Sequence, residues 1–492
     1  MTSWSNLPAE LRLAILQIVA DTSMGHIATY ASVCSEWQEV FEAKSFERIV
    51  LSQRRVLEFA QIVQGPRRRL VKHIWLRIEL SDDDHSSYKT ISLREMDFEG
   101  RDNFVGVIKV LFTTLSAWER PRDLNKEGLT LEFCAYSPSD SEHMPKDRDF
   151  AHDPYSEPAE EISALPNPRE HPAPTQLDRD NLFRNIFRLT KSYVSIMWFN
   201  NDYESAVLPE VNVVTSFLIR RQYYRKFDPN DMYYILVNLT GLESIIYEPQ
   251  REWITSQSES DICYCRLFEY MLPPSLKRLT VFENYEEELA AVIAAPGESG
   301  RVRSPEVSQA LMRRSQALEH LSAAFIIDAM DFLRPFWPPA SQPIPWSWAK
   351  LKTIALTSQV LKPDSNRDLI SYLCEAAGLA ARNMPNLEIM EIWNGDGDKH
   401  GSIFRFCNEE MVSTITWQSN WEMKLAEWVL SSWRITVYET RHHNNLSVRY
   451  ANLPMDGTRF PASVLPHLKL KDQVLHPVSF RQIQLIGTSR NK

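Results

Sequence analysis

A short spacing of apolar residues recurs along this chain of 492 residues and limits its fold more than any other feature. Each copy places one apolar residue, a second three positions later and a third two positions after that. The alternation at the end of each copy is typical of a strand with one buried face. The copies are Val71/Ile74/Leu76, Leu242/Ile245/Tyr247, Leu276/Leu279/Val281, Leu318/Leu321/Ala323, Leu351/Ile354/Leu356 and Leu387/Met390/Ile392. Helical segments such as 54–63 and 103–118 precede strand segments, so the protein is predicted to be an α/β array.

The spacing resembles the strand part of leucine-rich repeats, where the first apolar side chain enters the core just before a strand. Its period differs from that of the family. The first leucines from Leu242 to Leu387 lie 34, 42, 33 and 36 residues apart, against about 20–29 in typical repeats, and the expected Asn is missing. An irregular α/β solenoid is therefore predicted, with unrelated βα units in a doubly wound sheet as the alternative. Both interpretations predict parallel strands.

The first fifty residues have the pattern of a small helical unit. Pro8 falls in a first helical turn, where its missing N–H costs nothing. Leu7, Leu11, Ile15 and Ile18 follow at helical spacing, and two more short apolar stripes lead to Trp37 and beyond. Three helices of this size bury too little surface by themselves, so some apolar surface is expected to be left for a partner.

This unit resembles the F-box in the order and spacing of its motifs. The motifs are Leu7-Pro8-Ala9-Glu10-Leu11, Ile15-Leu16, Val33-Cys34-Ser35-Glu36-Trp37, Phe46 and Ile49-Val50-Leu51. In that family the opening Leu-Pro and the helices after it grip the Skp-type adaptor of SCF ubiquitin ligases, while the Cys and Trp help to build the small core and the interface. The resemblance implies that the adaptor-binding residues are Leu7, Pro8, Leu11, Ile15, Val33, Cys34 and Trp37. Leu11 stands where the family often has Ile, a swap of similar volume.

An F-box followed by a leucine-rich array resembles the large fungal and plant sets of F-box proteins, the fungal ones most. The resemblance implies a substrate receptor that reaches cullin and RING subunits through its adaptor and contributes proximity rather than catalytic groups. No catalytic residue and no cofactor are then expected. Two alternatives stay open: a scaffold that holds the adaptor outside a cullin ligase, and an enzyme with an unfamiliar site among the α/β units.

A protein target is predicted to bind across the strand faces of the array. Stacked parallel strands place the residues that alternate with the inward leucines side by side on one concave surface, which is where solenoids usually bind. The candidate residues are Arg278, Thr280, Phe282, Thr353, Ala355, Thr357, Glu391 and Trp393.

Composition divides the sequence into four parts. Residues 1–52 form the helical unit, 53–136 the first α/β units, and 181–492 the main repeat region. Between them, residues 137–180 are rich in proline and acidic residues and poor in aliphatics. Such a segment has too little apolar area to offset its ordering entropy, so it is predicted to be a disordered, dispensable insertion.

The net charge and the cysteines indicate which partners and which cellular compartment to expect. A net charge of −10 argues against nucleic-acid binding, which needs a concentrated basic surface. Arg67-Arg68-Arg69 with Lys72 is interpreted as a solvated turn. Six scattered cysteines favour a reducing compartment, and neither a signal peptide nor a membrane-spanning stretch is recognisable. A cytoplasmic or nuclear location without membrane contact is expected.

Metal and catalytic motifs are not found in the sequence. It has no phosphate-cradling glycine loop, no His-Glu-x-x-His and no Gly-x-Ser-x-Gly. Cys263 and Cys265 have no second nearby pair to complete four zinc ligands and are interpreted as a buried structural pair. The segment 394–398 resembles the start of a calcium loop, but Lys399 and Arg405 stand at the positions that need Gly and Glu. A turn is predicted there instead.

Overall fold

The computed structural model describes residues 4–22, 27–79, 98–120, 128–136, 208–221, 227, 229–251, 254–285, 301–337, 346–395, 400–409, 412–454 and 461–489. The proposed insertion at 137–180 lies outside the described residues.

Helices and strands alternate through most of the described residues. The α-helices are α1 Ala9–Thr22, α2 Ile27–Tyr30, α3 Ser35–Glu47, α4 Val56–Ile62, α5 Phe98–Ser116, α6 Pro229–Leu236, α7 Ile254–Arg266, α8 Pro305–Ser315, α9 Ala329–Phe332, α10 Arg367–Ala381, α11 Glu427–Arg441, α12 Lys471–Val474 and α13 Pro477–Ser489. The strands are β1 Arg48–Ser52, β2 His73–Glu79, β3 Leu129–Tyr136, β4 Val214–Ile219, β5 Ser244–Tyr247, β6 Arg278–Phe282, β7 His320–Ala324, β8 Thr353–Thr357, β9 Ile389–Asn394, β10 Ser402–Glu409, β11 Val412–Ser419 and β12 Leu446–Asn452. Short 3-10 turns at Trp4–Asn6, Gln53–Arg55, Gly65–Arg69, Arg334–Phe336 and Leu465–His467, and a π-helical turn at Leu267–Met271, complete the elements.

The described strands form one twelve-stranded sheet in which spatial order follows sequence order from β1 to β12. A doubly wound sheet reverses its strand order partway, so that alternative is wrong. The strands are parallel from β1 to β9, as predicted. The result is a mixed α/β array, mostly parallel, in which each unit packs on its neighbours in sequence.

The expectation of parallel strands throughout is wrong at the C-terminal end. β10 is antiparallel to both β9 and β11, while β12 is again parallel to β11. The connections explain the change. Seven residues, 395–401, join β9 to β10, and two residues, 410–411, join β10 to β11. A parallel crossover needs a dozen residues or more, so these short connections permit only hairpins.

The apolar spacing of the sequence corresponds to the main core. All eighteen residues of the six copies are buried in one cluster that runs along the helix-facing side of the sheet. In each copy the first residue enters the core just before its strand, as Leu276 does before β6, and the other two point inward from the strand. The interpretation of these segments as strands with one face in the core is confirmed.

The N-terminal helices join the array without a loop, because α3 ends at Glu47 and β1 begins at Arg48. Arg67 forms an ion pair with Glu42 of α3 at 2.7 Å, and its guanidinium lies over the Phe46 ring. Lys72 pairs with Glu47 through its ammonium group, at 2.9 Å, and through its backbone N–H. The basic turn therefore holds α3 against the first repeat rather than facing only solvent.

Residues 461–489, named here the C-terminal segment, lie across the opposite face of the sheet. They contain α12 and α13 and pack on the middle strands through a second apolar cluster that is separate from the main core. The strand residues of this cluster are Phe282, Ala324, Ala355, Trp393 and Ile403. The middle strands are consequently buried on both faces, as β8 is along its whole length.

Candidate functional site

Helix α1 carries a stripe of exposed aliphatic side chains. Leu11, Ile15 and Ile18 follow one another at spacings of four and three, which places them on one face of a helix. Their exposed fractions are 53%, 39% and 63%. Val33, in the turn before α3, is exposed at 59%. Leu11, Ile15 and Ile18 together are named here the exposed stripe of α1.

The opposite face of α1 holds the unit together. Leu16 and Ala20 are buried with Phe41 of α3. Trp37 packs beside them, with ring centroids 5.5 Å from Phe41 and 6.0 Å from Tyr30. An ion pair of 2.9 Å between Arg12 and Glu36 adds a polar link between α1 and α3. A core of this size fixes the helices yet leaves their outer face unpartnered among the described residues.

The residues that the F-box resemblance implies for adaptor binding divide into two groups. Pro8, Leu11, Ile15, Val33 and Cys34 are exposed. Leu7 and Trp37 are half-buried, and Trp37 belongs to the small core. Cys34 lies at the start of α3 and does not enter that core.

Most of the strand-face residues predicted to meet a target lie under the C-terminal segment. Arg278 is exposed, as expected of an open surface. The other candidates are buried: Thr280, Phe282, Thr353, Ala355, Thr357, Glu391 and Trp393. The expectation of an open concave surface is therefore corrected, because apolar side chains of the C-terminal segment cover it. Whether these residues bind a target stays a prediction.

Glu391 on β9 is the polar centre of one end of this covered face. Its carboxylate accepts a hydrogen bond from Arg405 at 2.5 Å, from the Lys469 amide at 3.0 Å and from the Leu470 amide at 2.9 Å. The side chain of Glu391 is fully buried. A buried carboxylate with this many donors is compensated for its lost hydration, whereas an unpaired one would be very costly.

Gln473 in α12 lies over the middle of the face and binds three adjacent strands. Its backbone carbonyl oxygen accepts from the Thr280 hydroxyl of β6 at 2.8 Å. Its side-chain amide donates to the backbone carbonyl of Leu321 in β7 at 2.9 Å, and its Oε1 accepts from the Thr353 hydroxyl of β8 at 2.5 Å. His320 of β7 contacts the same Thr353 hydroxyl at 2.7 Å. One glutamine thus fixes α12 over β6, β7 and β8.

Glu248, which follows β5, holds the far end of the segment. It accepts from the Arg221 amide at 3.0 Å, the His476 amide at 2.8 Å and the Ser479 hydroxyl at 2.5 Å. Burial nevertheless raises the pKa of Glu248, against the lowering effect of these donors. The hydrogen bonds fix the position of the Glu248 carboxylate, while its apolar surroundings disfavour its charged form.

A buried charge pair lies beside this end. Arg220 contacts Glu132 of β3 at 2.6 Å, and His73 of β2 lies 2.9 Å from the second Glu132 oxygen. Burial alone would raise the pKa of Glu132, but the Arg220 charge and the His73 hydrogen bond lower it to about 2. Arg220 also lies over the Trp75 ring at 5.2 Å. The contacts among Arg220, Glu132 and His73 link β2 and β3 to the residue that follows β4.

Features of other site classes are not found in the described residues. Within the described ranges no group of three or more His, Cys, Asp or Glu residues is arranged to hold a metal ion. The described helices include none long and apolar enough to cross a membrane. Cys263 is buried and Cys265 half-buried on α7. Arg405, at the twelfth position of the calcium-like segment, is bound to Glu391.

Several residues of both surfaces are not in the sequence-based set. Ile18 completes the exposed stripe of α1, and Trp4 donates to Glu36 at 3.2 Å. On the sheet, Glu248 and Gln473 anchor the C-terminal segment. The apolar character of Phe282, Ala324, Ala355 and Trp393 was an available signal, because outward positions of a strand that faces water are usually polar.

Comparisons with known proteins give a family-model match over part of the chain and matches to solved structures. The model of a family of unknown function, DUF6546, matches residues 271–476. No curated protein matches in sequence. Matched solved structures include the crystal structure of the leucine-rich repeat-containing protein LegL7 from Legionella pneumophila. It has 13% sequence identity and a TM-score of 0.21, and the match covers 70% of the present protein and 91% of LegL7.

Proposed function

We propose that this protein is the substrate-recognition subunit of an SCF-type ubiquitin ligase. Helices α1–α3 would bind a Skp-type adaptor, and through it cullin and RING subunits, while the array would hold a protein target. The observation that supports this most is the exposed stripe Leu11, Ile15 and Ile18 on α1. The F-box motifs of the sequence lie on α1 and α3, in the residues just before each of these helices, and on β1.

The stripe has the properties of a docking surface. Single exposed apolar residues are common on proteins, but three in line on one helix beside a well-formed core are less so. Full burial of an aliphatic side chain is worth about 1.5–3 kcal/mol. A partner that covered the stripe would gain several kcal/mol before the costs of association, which is enough for a stable complex if those costs are moderate.

The array supports the receptor part of the proposal. Its main core extends from Leu51 on β1 to Val437 on α11 and is separate from the buried cluster of α1 and α3. No catalytic constellation is part of the proposal, because proximity is what a receptor contributes. The scaffold alternative differs only in the absence of cullin from the complex.

The proposal is tested with a double change on the stripe, Leu11→Asp with Ile15→Asp. Because both residues are exposed in the free protein, the variant should unfold at nearly the parent temperature. Binding to a purified Skp-type adaptor in a pull-down should be lost, since two charges would be buried in an apolar interface. The matched control is Leu13→Asp, which is exposed at 46% on another side of α1 and should keep binding.

Two further variants separate the interface from the fold. Leu7→Ala with Pro8→Ala should abolish adaptor binding and leave the array folded. Trp37→Ala should weaken both binding and the helical unit, by less than the about 3–5 kcal/mol typical of a fully buried tryptophan, because Trp37 is half-buried. Undiminished adaptor binding by the Leu11/Ile15 variant, or no binding by the parent, would remove the proposal. Cullin in the purified complex distinguishes a ligase from a scaffold.

A further inference from the structure

Thr280 and Glu391 of the sheet, and Glu248 just after β5, bind backbone groups of the C-terminal segment, and Glu248 also accepts from the Ser479 hydroxyl. Glu391 accepts from the amides of Lys469 and Leu470, and Thr280 donates to the backbone carbonyl of Gln473. Glu248 accepts from the amide of His476. These contacts are spread over residues 469–476, at the start, the middle and the end of the stretch. Backbone groups are the part of a peptide that is common to every sequence, and binding them is a usual mode of peptide recognition.

Apolar contacts fill the space between these hydrogen bonds. The side chains of Leu470, Val474 and Leu475 are buried in the second cluster, against Phe282 and Trp393. The surface formed by Glu248, Thr280, Phe282, Thr353, Glu391 and Trp393 is named here the strand-face groove. Polar groups at its two ends and an apolar floor between them are the anatomy of a ligand site.

The groove and the main core lie on opposite faces of the same strands. In β6, Leu279 and Val281 face the main core while Thr280 and Phe282 face the groove, and the same alternation holds along β8 and β9. Removing the C-terminal segment would expose the floor of the groove but leave the main core closed by its helices. The array therefore has its own source of stability.

We infer that the strand-face groove is a peptide-binding site and that the C-terminal segment is its intramolecular ligand. A target of the same chemistry replaces the segment: a short peptide with free backbone amides and apolar side chains around a central Gln. Gln473 specifies that residue, because its side chain bonds to both Leu321 and Thr353. The identification of the peptide as a ligase target rests on the proposed function; the groove itself does not.

Linkage explains why such a site would be closed in the intact protein. A segment tethered to its own site has an effective concentration of about millimolar, so a free peptide at micromolar concentration does not compete. Cutting the tether removes that advantage. Residues 455–460 join the C-terminal segment to the array, and a cut there leaves all the described contacts of the groove unchanged.

The experiment uses the full-length protein with a site-specific protease recognition sequence inserted within 455–460 and cleaved after folding. The probe is a fluorescent synthetic peptide of residues 461–489, and its binding is followed by anisotropy and by co-elution in gel filtration. The cut protein should take up the probe at a concentration about 100-fold lower than the uncut protein. A Gln473→Ala probe should bind at least about 10-fold more weakly, whereas an Asp472→Asn probe should bind like the parent, because Asp472 is exposed.

Each other outcome overturns the inference. If the cut protein unfolds, or keeps its own segment without exchange until the whole protein unfolds, the segment is a permanent part of the core. If the uncut protein binds the probe equally well, the probe uses another site. Equal binding of all three probes would show that the groove does not recognise the Gln473 side chain. Adaptor binding is measured on the same samples as an independent test. Probe exchange without adaptor binding would support the peptide-binding groove and contradict the proposed ubiquitin-ligase function.

Discussion

The carboxylate of Glu391 on β9 accepts a hydrogen bond of 2.9 Å from the backbone amide of Leu470, 79 positions further along the sequence. Through Arg405 the same carboxylate is tied to β10. One buried side chain thus joins a parallel strand, the antiparallel hairpin after it and the C-terminal segment. The charge of Glu391 satisfies donors from all of these elements, and its replacement is the most direct test of their coupling.

Glu391→Gln keeps the shape of the side chain and removes its charge. The buried Arg405 then has no counter-charge, and loss of one partner of a buried pair typically costs about 3–5 kcal/mol. The free energy of unfolding, measured with urea, should fall by an amount of this order. Glu427→Gln is the matched control, because the Glu427–Arg434 pair is exposed on both sides and should contribute less than about 1 kcal/mol. Equal losses in both variants would contradict the assignment.

His476 makes stability depend on pH. Burial, and then the positive charge of Arg220, lower the pKa of His476 to about 3. Its Nδ1 accepts from the Val478 amide at 3.3 Å, which requires that nitrogen to be unprotonated. The folded state therefore binds fewer protons than the unfolded state between pH 6.5 and about 3. The contribution is fully present above the unfolded pKa and is lost as the pH falls, by up to about 1.4 kcal/mol per pH unit.

The test compares the parent with His476→Gln at about pH 7, 5.5 and 4.5, values that span the predicted loss, because neighbouring groups also titrate. Glu132 and Arg220 lie on one side of His476, with His73 and Arg481 near them, and Glu248 binds its backbone. The raised pKa of Glu248 has the opposite sign, since its contribution is lost as the pH rises. Urea unfolding should show a smaller advantage of the parent over the variant at each lower pH. A constant difference would exclude His476 as the source.

Two glycines are expected to respond to alanine in opposite directions. A Cβ on Gly241 would stand 2.0 Å from the backbone oxygen of Asn212, whereas a Cβ on Gly106 in α5 would meet nothing within 4 Å. Gly241→Ala should therefore destabilise the protein by about 1–3 kcal/mol, as overpacking does. Gly106→Ala should stabilise it by about 0.5–1 kcal/mol, the difference in helix propensity. Thermal melts of the two variants measure both signs, and a shift in the same direction would contradict the structure.

The main core was predictable because it depends on local periodicity. The three-then-two spacing places Leu276, Leu279 and Val281 in the core from sequence alone, and the same holds for the other copies. The hairpin strands β10 and β11 were missed, although β11 alternates buried and half-buried residues along its whole length. Short connections at 395–401 and 410–411 were the available signal for antiparallel pairing.

Local periodicity in the sequence could not predict that the C-terminal segment covers the strand face. Leu470, Val474 and Leu475 show that the C-terminal segment buries an apolar face, but nothing local in the sequence says on which surface it lies. That choice depends on long-range contacts such as Gln473 with Thr280, 193 positions apart. The contacts of the N-terminal helices are closer in sequence, since Leu16, Ala20 and Phe41 lie within a few tens of residues of one another.

The direct passage from α3 into β1 has a consequence for distance. Glu42 and Glu47 hold the first repeat through Arg67 and Lys72, so the exposed stripe of α1 does not swing freely about a hinge. Neighbouring strands are about 4.8 Å apart, which places β6 about 24 Å from β1 along the sheet. Two proteins bound at the helices and at the middle strands would be held at a spacing counted in strands. The number of repeats between the two sites therefore sets the distance between the two bound proteins.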